Sequence, residues 1–303
     1  MGPIIRRTYQ GLPSSLLADI QALCSRKPLL APVGVSAVPI EIDARKVSVK
    51  ASHLARYRAV CGIPPASTLP PAYPHVLAMP LHMQVFTAAS FPVKVLGLIH
   101  MHNVIRQWHP IPVNAPLHLF GGFNTVRETE RGQEYDLLTR CEVDGAVVWE
   151  EVSTMLARGS GAGKRPRAPK APKDGTAIRS MIGVAPNTGR RYAFVSGDFN
   201  PIHLTARTAR IFRFDHAVAH GMWSMARCLG EAAATLPATP LEIETQFQFP
   251  LFLPAQTTYQ SWKAIDALHI TLSDERGLKP HLSIKVQSPA TPSGAAIESR
   301  TRR

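Results

Sequence analysis

Apolar residues recur at intervals of three and four in two stretches, 73–90 ("YPHVLAMPLHMQVFTAAS") and 215–236 ("DHAVAHGMWSMARCLGEAAATL"). This spacing predicts a helix in each. Downstream of each helix, proline-punctuated runs predict strands: "LGLIHMHNVIRQWHPIPV" over 96–113 and "LEIETQFQFPLFLPAQTT" over 241–258. A strand, a turn and a strand then close each half, over 135–157 through Asp144-Gly145 and over 261–287 through Arg276-Gly277. A long helix followed by an antiparallel meander, twice over, predicts an α+β fold with a helix against each sheet.

The two halves echo each other in detail. "ARYRAVCGIPP" places Tyr57, Val60, Cys61 and Gly62 at the spacing with which "RRYAFVSGDFNP" places Tyr192, Val195, Ser196 and Gly197. The echo fails at the polar groups. Ile63 stands where the second half has Asp198, and Thr68 where it has His203. Both copies need the fold, so this asymmetry predicts one working site per chain, in the second half.

Between the halves, "GSGAGKRPRAPKAPKDGT" over 159–176 carries five basic side chains and almost nothing to bury. It predicts a linker or long surface loop between a first unit at 1–158 and a second at 177–303. The last residues, "ATPSGAAIESRTRR", read as a loose basic tail. These segments hold much of the formal net charge of +13. The excess therefore reads chiefly as solubility charge on loose segments, although a balance this basic can also attract an acidic partner. No zinc-finger, RRM or helix-turn-helix signature accompanies it, so no nucleic-acid partner is expected. Four cysteines at 24, 61, 141 and 228 lack CxxC spacing and predict reduced thiols in the cytoplasm. The first twenty residues do not form a secretory signal, and no apolar run approaches the ~20 residues of a membrane span.

Within "SGDFNPIHL" (196–204), an acid and an imidazole lie five residues apart around a proline-stiffened turn, shortly before His220-Gly221. A carboxylate and an imidazole converging on one small volume can hold and deprotonate a water molecule. Ser196 as a nucleophile is disfavoured, since no GxSxG elbow surrounds it and its counterpart Cys61 lies in the half without acid and base. A metal site is disfavoured too: HExxH is missing, and His100 and His102 alternate along a strand without an acidic companion. Gly221 opens the second helix, where free backbone N–H groups favour developing negative charge and a glycine admits a substrate close to the backbone. Such a contact is of the oxyanion type.

"RRYAFVSGDFNPIHLTARTAR" followed by "VAHGMW" closely resembles the hydratase 2 motif of the MaoC-like dehydratases, the (R)-specific enoyl-thioester hydratases. First-half segments such as "LPPAYPHVLAMPLHM" and "FPVKVLGLIHMHNVI" resemble the amino-terminal half of two-hot-dog members. The resemblance spans most of residues 35–288 and is sharp from 190 to 225. It implies a double hot-dog fold: two units in tandem, each a long helix wrapped by a curved antiparallel sheet. It implies Asp198 and His203 as the acid–base pair, Gly221 as the amide that binds the thioester oxygen, and Asn200 as an orienting group. The reaction implied is reversible hydration of a trans-2-enoyl thioester to the (3R)-hydroxyacyl thioester. No cofactor is implied beyond the coenzyme A or acyl carrier protein that forms part of the substrate. An acidic acyl carrier protein is a candidate partner, and the chain is expected as a monomeric double hot dog or a homodimer. The first half would shelter the acyl chain. Arg213 stands where the family has a glycine, with Asp215-His216 following, so Arg213 and His216 are expected near the substrate entrance. Two alternatives are a hot-dog acyl thioesterase and a noncatalytic acyl-thioester-binding subunit.

Overall fold

A computed structural model of the chain describes residues 4–14, 16–32, 34, 38–159, 161, 163, 168–169, 171–172 and 176–289. After an edge strand β1 (Ile5–Gln10) and a short helix α1 (Leu16–Leu23), the first unit runs β2 (Ile40–Val47), α2 (Ala51–Cys61), α3 (Tyr73–Thr87), β3 (Leu98–Gln107), β4 (Leu117–Thr129), β5 (Gly132–Val143) and β6 (Ala146–Arg158). The second runs β7 (Ile178–Val184), α4 (Thr188–Ser196), a 3-10 turn (Pro201–His203), α5 (Ala206–Arg210), α6 (Gly221–Glu231), β8 (Leu241–Phe247), β9 (Ala255–Ala264), β10 (Ala267–Asp274) and β11 (Pro280–Gln287).

The eleven strands among the described residues form one sheet in the order β1-β2-β4-β5-β6-β3-β8-β11-β10-β9-β7. Without β1, this order reads the same from both ends: β2-β4-β5-β6-β3 in one unit mirrors β7-β9-β10-β11-β8 in the other. The units join where β3 pairs antiparallel with β8, Ile105 opposite Ile243. This is the α+β double hot dog, with α3 and α6 as the two wrapped helices. Strands alternate accordingly: in β5, Gln133, Tyr135, Leu137, Thr139 and Cys141 face inward. Helix α3 is buried on nearly every face, as a wrapped helix must be.

The "YRAVCG" and "YAFVSG" echo has a local cause. Each run ends a short helix, and Gly62 (φ 64°) and Gly197 (φ 75°) cap α2 and α4 in the left-handed conformation that glycine adopts without penalty. The repeated tyrosines meet each other, with the rings of Tyr57 and Tyr192 6.3 Å apart. The indole of Trp223 on α6 donates to the Val60 carbonyl at 2.9 Å, tying the second unit's helix to the first unit.

Several expectations are corrected. Of the periodic stretch 215–236, the helix takes Gly221–Glu231: it opens at Gly221 as expected, residues 217–219 pair with the 251–253 segment, and the helix ends before 236. The strand pair expected over 261–287 belongs to three strands, with β9 already under way at Ser261 and turns on both sides of β10. Strands β2 and β7 precede the helices of their units, so neither unit begins with a helix. Of the 159–176 stretch, residues 160, 162, 164–167, 170 and 173–175 lie outside the described residues, as does the basic tail from 290. Within that stretch, Gly159 donates its N–H to the Arg131 carbonyl at 2.9 Å.

Candidate active site

Helix α4 ends at Ser196 because Gly197 turns the backbone left-handed, and this corner delivers Asp198 to a cavity. Ser196 is buried and its Oγ accepts the Asp198 N–H at 3.2 Å, so the hydroxyl shapes the corner. Asp198 Oδ1 accepts the Asn200 N–H at 3.1 Å, and Asn200 Oδ1 accepts the Ile202 N–H at 3.4 Å. These are Asx turns, which need only the short side chains and the proline that follows. They set the 3-10 turn that carries His203.

The segment before α6 lies against that turn. Val218 donates its N–H to the Ile202 carbonyl at 2.9 Å, and His203 Nδ1 lies 2.7 Å from the Val218 carbonyl oxygen. A carbonyl only accepts, so Nδ1 carries the proton and neutral His203 presents the Nε2 lone pair. Burial disfavours the imidazolium of His203 and holds its pKa below the ordinary value, although Asp198 pulls the other way. Burial also works against the Asp198 carboxylate. The imidazoles of His220 and His203, the Asn200 N–H and His75 outweigh that effect, and its pKa is lowered.

His220 completes the cluster. Its Nε2 donates to the Asp198 backbone carbonyl at 3.0 Å and lies 3.8 Å from Asp198 Oδ2. Its ring stacks on His203 with centroids 3.7 Å apart and meets Tyr192 at 4.9 Å with the planes tilted by 54°. Burial, reinforced by the neighbouring His203, pushes its pKa down to about 3. Gly221 follows at the first position of α6, and a Cβ there would meet Phe247 ring atoms at 3.0 Å.

Asp198, Asn200, His203, His220 and Gly221 all line one cavity of about 890 Å³. Its apolar wall comes from both units, with Met79, Met83, Phe86, Leu137 and Met155 from the first and Ile202, Met222, Phe247 and Phe249 from the second. Arg213 and His216 are exposed and do not line it, whereas Phe212 and Phe214 do. Potential ligand atoms of Asp198, His203 and His220 lie within 4.8 Å of one another, as do those of His75, His82 and Glu151. In both groups hydrogen bonds already engage several donors: His203 Nδ1, His220 Nε2, His75 Nδ1 and His82 Nε2.

Known proteins resemble the chain over most of its length. 3-Hydroxyacyl-thioester dehydratase X of Mycobacterium tuberculosis is 31% identical over 252 residues, 81% of this chain and 88% of that protein. The chain belongs to the MaoC-like dehydratase family. Residues 167–265 match the MaoC like domain. A crystal structure of HtdX from Mycobacterium tuberculosis has 29% identity and a TM-score of 0.71, covering 82% of this chain and 100% of that one. A MaoC-like dehydratase from Phytophthora capsici shares the fold, with a TM-score of 0.65 at 16% identity over 89% of this chain and 98% of that one.

In this MaoC-like dehydratase, further polar groups on the cavity are invisible to local sequence patterns. His75, on the first turn of α3, and His100, on β3, both line it. The expectation that His100 and His102 have no acidic companion is overturned for His102, whose Nε2 lies 3.1 Å from Glu244 Oε1 on β8. His75, which the sequence did not single out, has its Nδ1 2.8 Å from Glu151 Oε2 on β6. The partners are 142 and 76 residues away along the chain. Only His220 had a local signal, its place in "AHGM".

Proposed function

We propose that this protein catalyses the reversible hydration of trans-2-enoyl thioesters to (3R)-hydroxyacyl thioesters in fatty-acid metabolism, with Asp198 and His203 as its acid–base pair. One observation carries the assignment: a lowered-pKa carboxylate and an imidazole with its Nδ1 tied to Val218 open on the same cavity, within 4.8 Å of each other. The sequence relationship to a 3-hydroxyacyl-thioester dehydratase supports the same reaction class.

In this reading Asp198 Oδ2 and His203 Nε2 hold one water. Its oxygen adds to C3 of the enoyl group while the pair takes a proton. The π electrons pass to the thioester oxygen as an enolate, and the pair returns the proton to C2. Both new bonds form on the face that the pair occupies, and the pair ends unchanged. The Gly221 N–H, at the positive end of α6, donates to the enolate oxygen, a contact often worth a few kcal/mol in the transition state. Asn200 holds the turn that aims the pair. Water is the only co-reactant in these steps.

The acyl chain would run along the methionine, leucine and phenylalanine wall of the first unit. Coenzyme A or an acyl carrier protein would remain outside, near Arg213 and His216. No helix among the described residues is long and apolar enough to cross a membrane. All four cysteines are free thiols, three of them buried, which supports a cytoplasmic setting.

The test is incubation of the purified full chain with crotonyl-CoA and longer enoyl-CoAs. Loss of enoyl absorbance with an (R)-hydroxy product is expected. Release of free thiol without hydration would identify a thioesterase instead.

A further inference from the structure

Glu151 is the most deeply buried carboxylate near the cavity, its side chain fully shielded, and the hydration steps above do not use it. Burying a charge is costly unless partners satisfy it. Here they do: Oε2 lies 2.8 Å from His75 Nδ1 and Oε1 accepts from Asn103 Nδ2 at 2.7 Å, which also donates to Ser153 Oγ at 3.0 Å. Burial raises the pKa of a carboxyl, yet His75 and Asn103 bring Glu151 down to about 2. Burial likewise works against the His75 imidazolium, but Glu151 outweighs it and the pKa is raised. With Nδ1 on Glu151, Nε2–H is the group that His75 can present to the cavity it lines.

Helix α3 and the corner at Gly197 place His75 and Asp198 on the same cavity. His75 and Met79 are four residues apart and so share a helix face. Met79 packs at the Gly197 corner, where a Cβ would meet its Cγ at 3.4 Å. Asp198 is the next residue. The ionisable groups around His75 are Glu151 on β6, His82 on α3, His100 on β3, and Asp198. Those around Asp198 are His203, His220, His75 and Tyr192. His82 and His100 are pushed down to about 3, burial first and His75 second. His220 and His203 are likewise held low. Among these five imidazoles, only His75 is favoured in its charged form.

We propose that His75, held by Glu151, is a positioning residue of the catalytic site: an imidazolium supplied by the first unit that keeps Asp198 ionised and ready to take a proton from water. The unit that lost the Asp/His motif then contributes a charge as well as an acyl shelter. The proposal rests on the hydration reading for its meaning, but the charge relation can be measured without turnover.

The experiment uses the full chain with carboxyl-labelled aspartate, Asp198→Asn assigning the Asp198 signal. In His75→Gln and Glu151→Gln, the Asp198 titration is expected to move to higher pH. With crotonyl-CoA, the ratio of kcat/KM at about pH 5 to that at about pH 8 should fall, as loss of one opposite charge predicts. An unmoved Asp198 titration, with rates scaled equally at both pH values, would overturn the proposal. If Glu151→Gln does not fold, ring ¹⁵N shifts of wild-type His75 decide: a protonated ring at neutral pH supports the assignment and a neutral ring ends it. Absence of hydration by the wild-type protein would remove the proposed function and leave the Asp198 titration readable.

Discussion

The rings of His203 and His220 stack with centroids 3.7 Å apart and planes inclined by 26°. Two imidazolium ions cannot share that spacing in a buried site, so at most one ring carries charge. His220 gives its Nε2 proton to the Asp198 carbonyl and His203 gives its Nδ1 proton to Val218. These two hydrogen bonds fix both tautomers and leave His203 Nε2 as the open base beside Asp198.

Removing either member of the pair is therefore expected to cost far more activity than stability. Asp198→Asn and His203→Gln should each lower kcat/KM for crotonyl-CoA by about 10²–10⁴, the range for a positioned acid or base. Circular dichroism should stay close to wild type, and thermal midpoints should fall only modestly, by the hydrogen bond to Val218 that His203→Gln gives up. A variant that turns over like wild type would remove its residue from the mechanism.

Stability should fall on acidification well above the carboxylate range. His82 and His220 are 1% and 2% exposed, and both are held down to about 3. Their folded values lie below the ordinary 6.5, so the unfolded chain binds protons that the folded chain refuses. Their contribution is whole above pH ~6.5 and is lost as pH falls toward 3, on the order of 1 kcal/mol per pH unit for each. Glu151 acts in the same direction lower down, between its ordinary value of 4.5 and about 2. His75 acts oppositely: its raised pKa contributes below the ordinary value and is lost as pH rises through the raised one. Thermal melts from pH 8 to pH 4 should show the midpoint dropping from about pH 6.5 downward, and a flat profile to pH 4 would contradict this account.

Much of this was legible locally. The Asp144-Gly145 turn between β5 and β6 has φ values of 50° and 80°, the left-handed pair that Asp-Gly sequences favour. The "SGDFNPIHL" turn likewise carries its own hydrogen-bonding logic. Strand β4 was harder to read, because its Gly121-Gly122 looks like a break. Tertiary packing sets those glycines: a Cβ at 121 would meet Leu81 Cβ at 3.1 Å, and one at 122 the Ile40 carbonyl oxygen at 3.1 Å. The His75–Glu151 pair joins a helix to a strand across the first unit, and no window along the chain contains both. Local chemistry thus announces the Asp198–His203 pair, and only the folded sheet brings the buried charges beneath it.

Arg213 adopts φ 64°, a left-handed conformation that costs a side-chain-bearing residue roughly 1–2 kcal/mol. It follows α5, and the next N–H, of Phe214, reaches back to the Ala209 carbonyl at 3.2 Å, as after a glycine-terminated helix. Arg213→Gly should relieve the strain and, after the extra backbone entropy of glycine, raise stability by up to about 1 kcal/mol. Denaturant midpoints measure it, and a clear loss of stability would mean that the guanidinium makes a compensating contact. A rise in KM for coenzyme A thioesters in the same variant would support the placement of Arg213 at the entrance.

Gly221 is constrained from two sides, and one variant separates them. A Cβ there would sit 3.0 Å from Phe247 Cδ1 and Cε1, so Gly221→Ala must push a buried ring whose other neighbour is His100, 4.7 Å away. Overpacking of this kind costs about 1–3 kcal/mol. Shortening the ring in the double variant Gly221→Ala, Phe247→Leu should return part of that stability. Activity should not return with it, because the added methyl still crowds the N–H proposed to meet the thioester oxygen. Recovery of both in the double variant would reduce Gly221 to a packing residue and move the oxyanion contact elsewhere on the cavity wall.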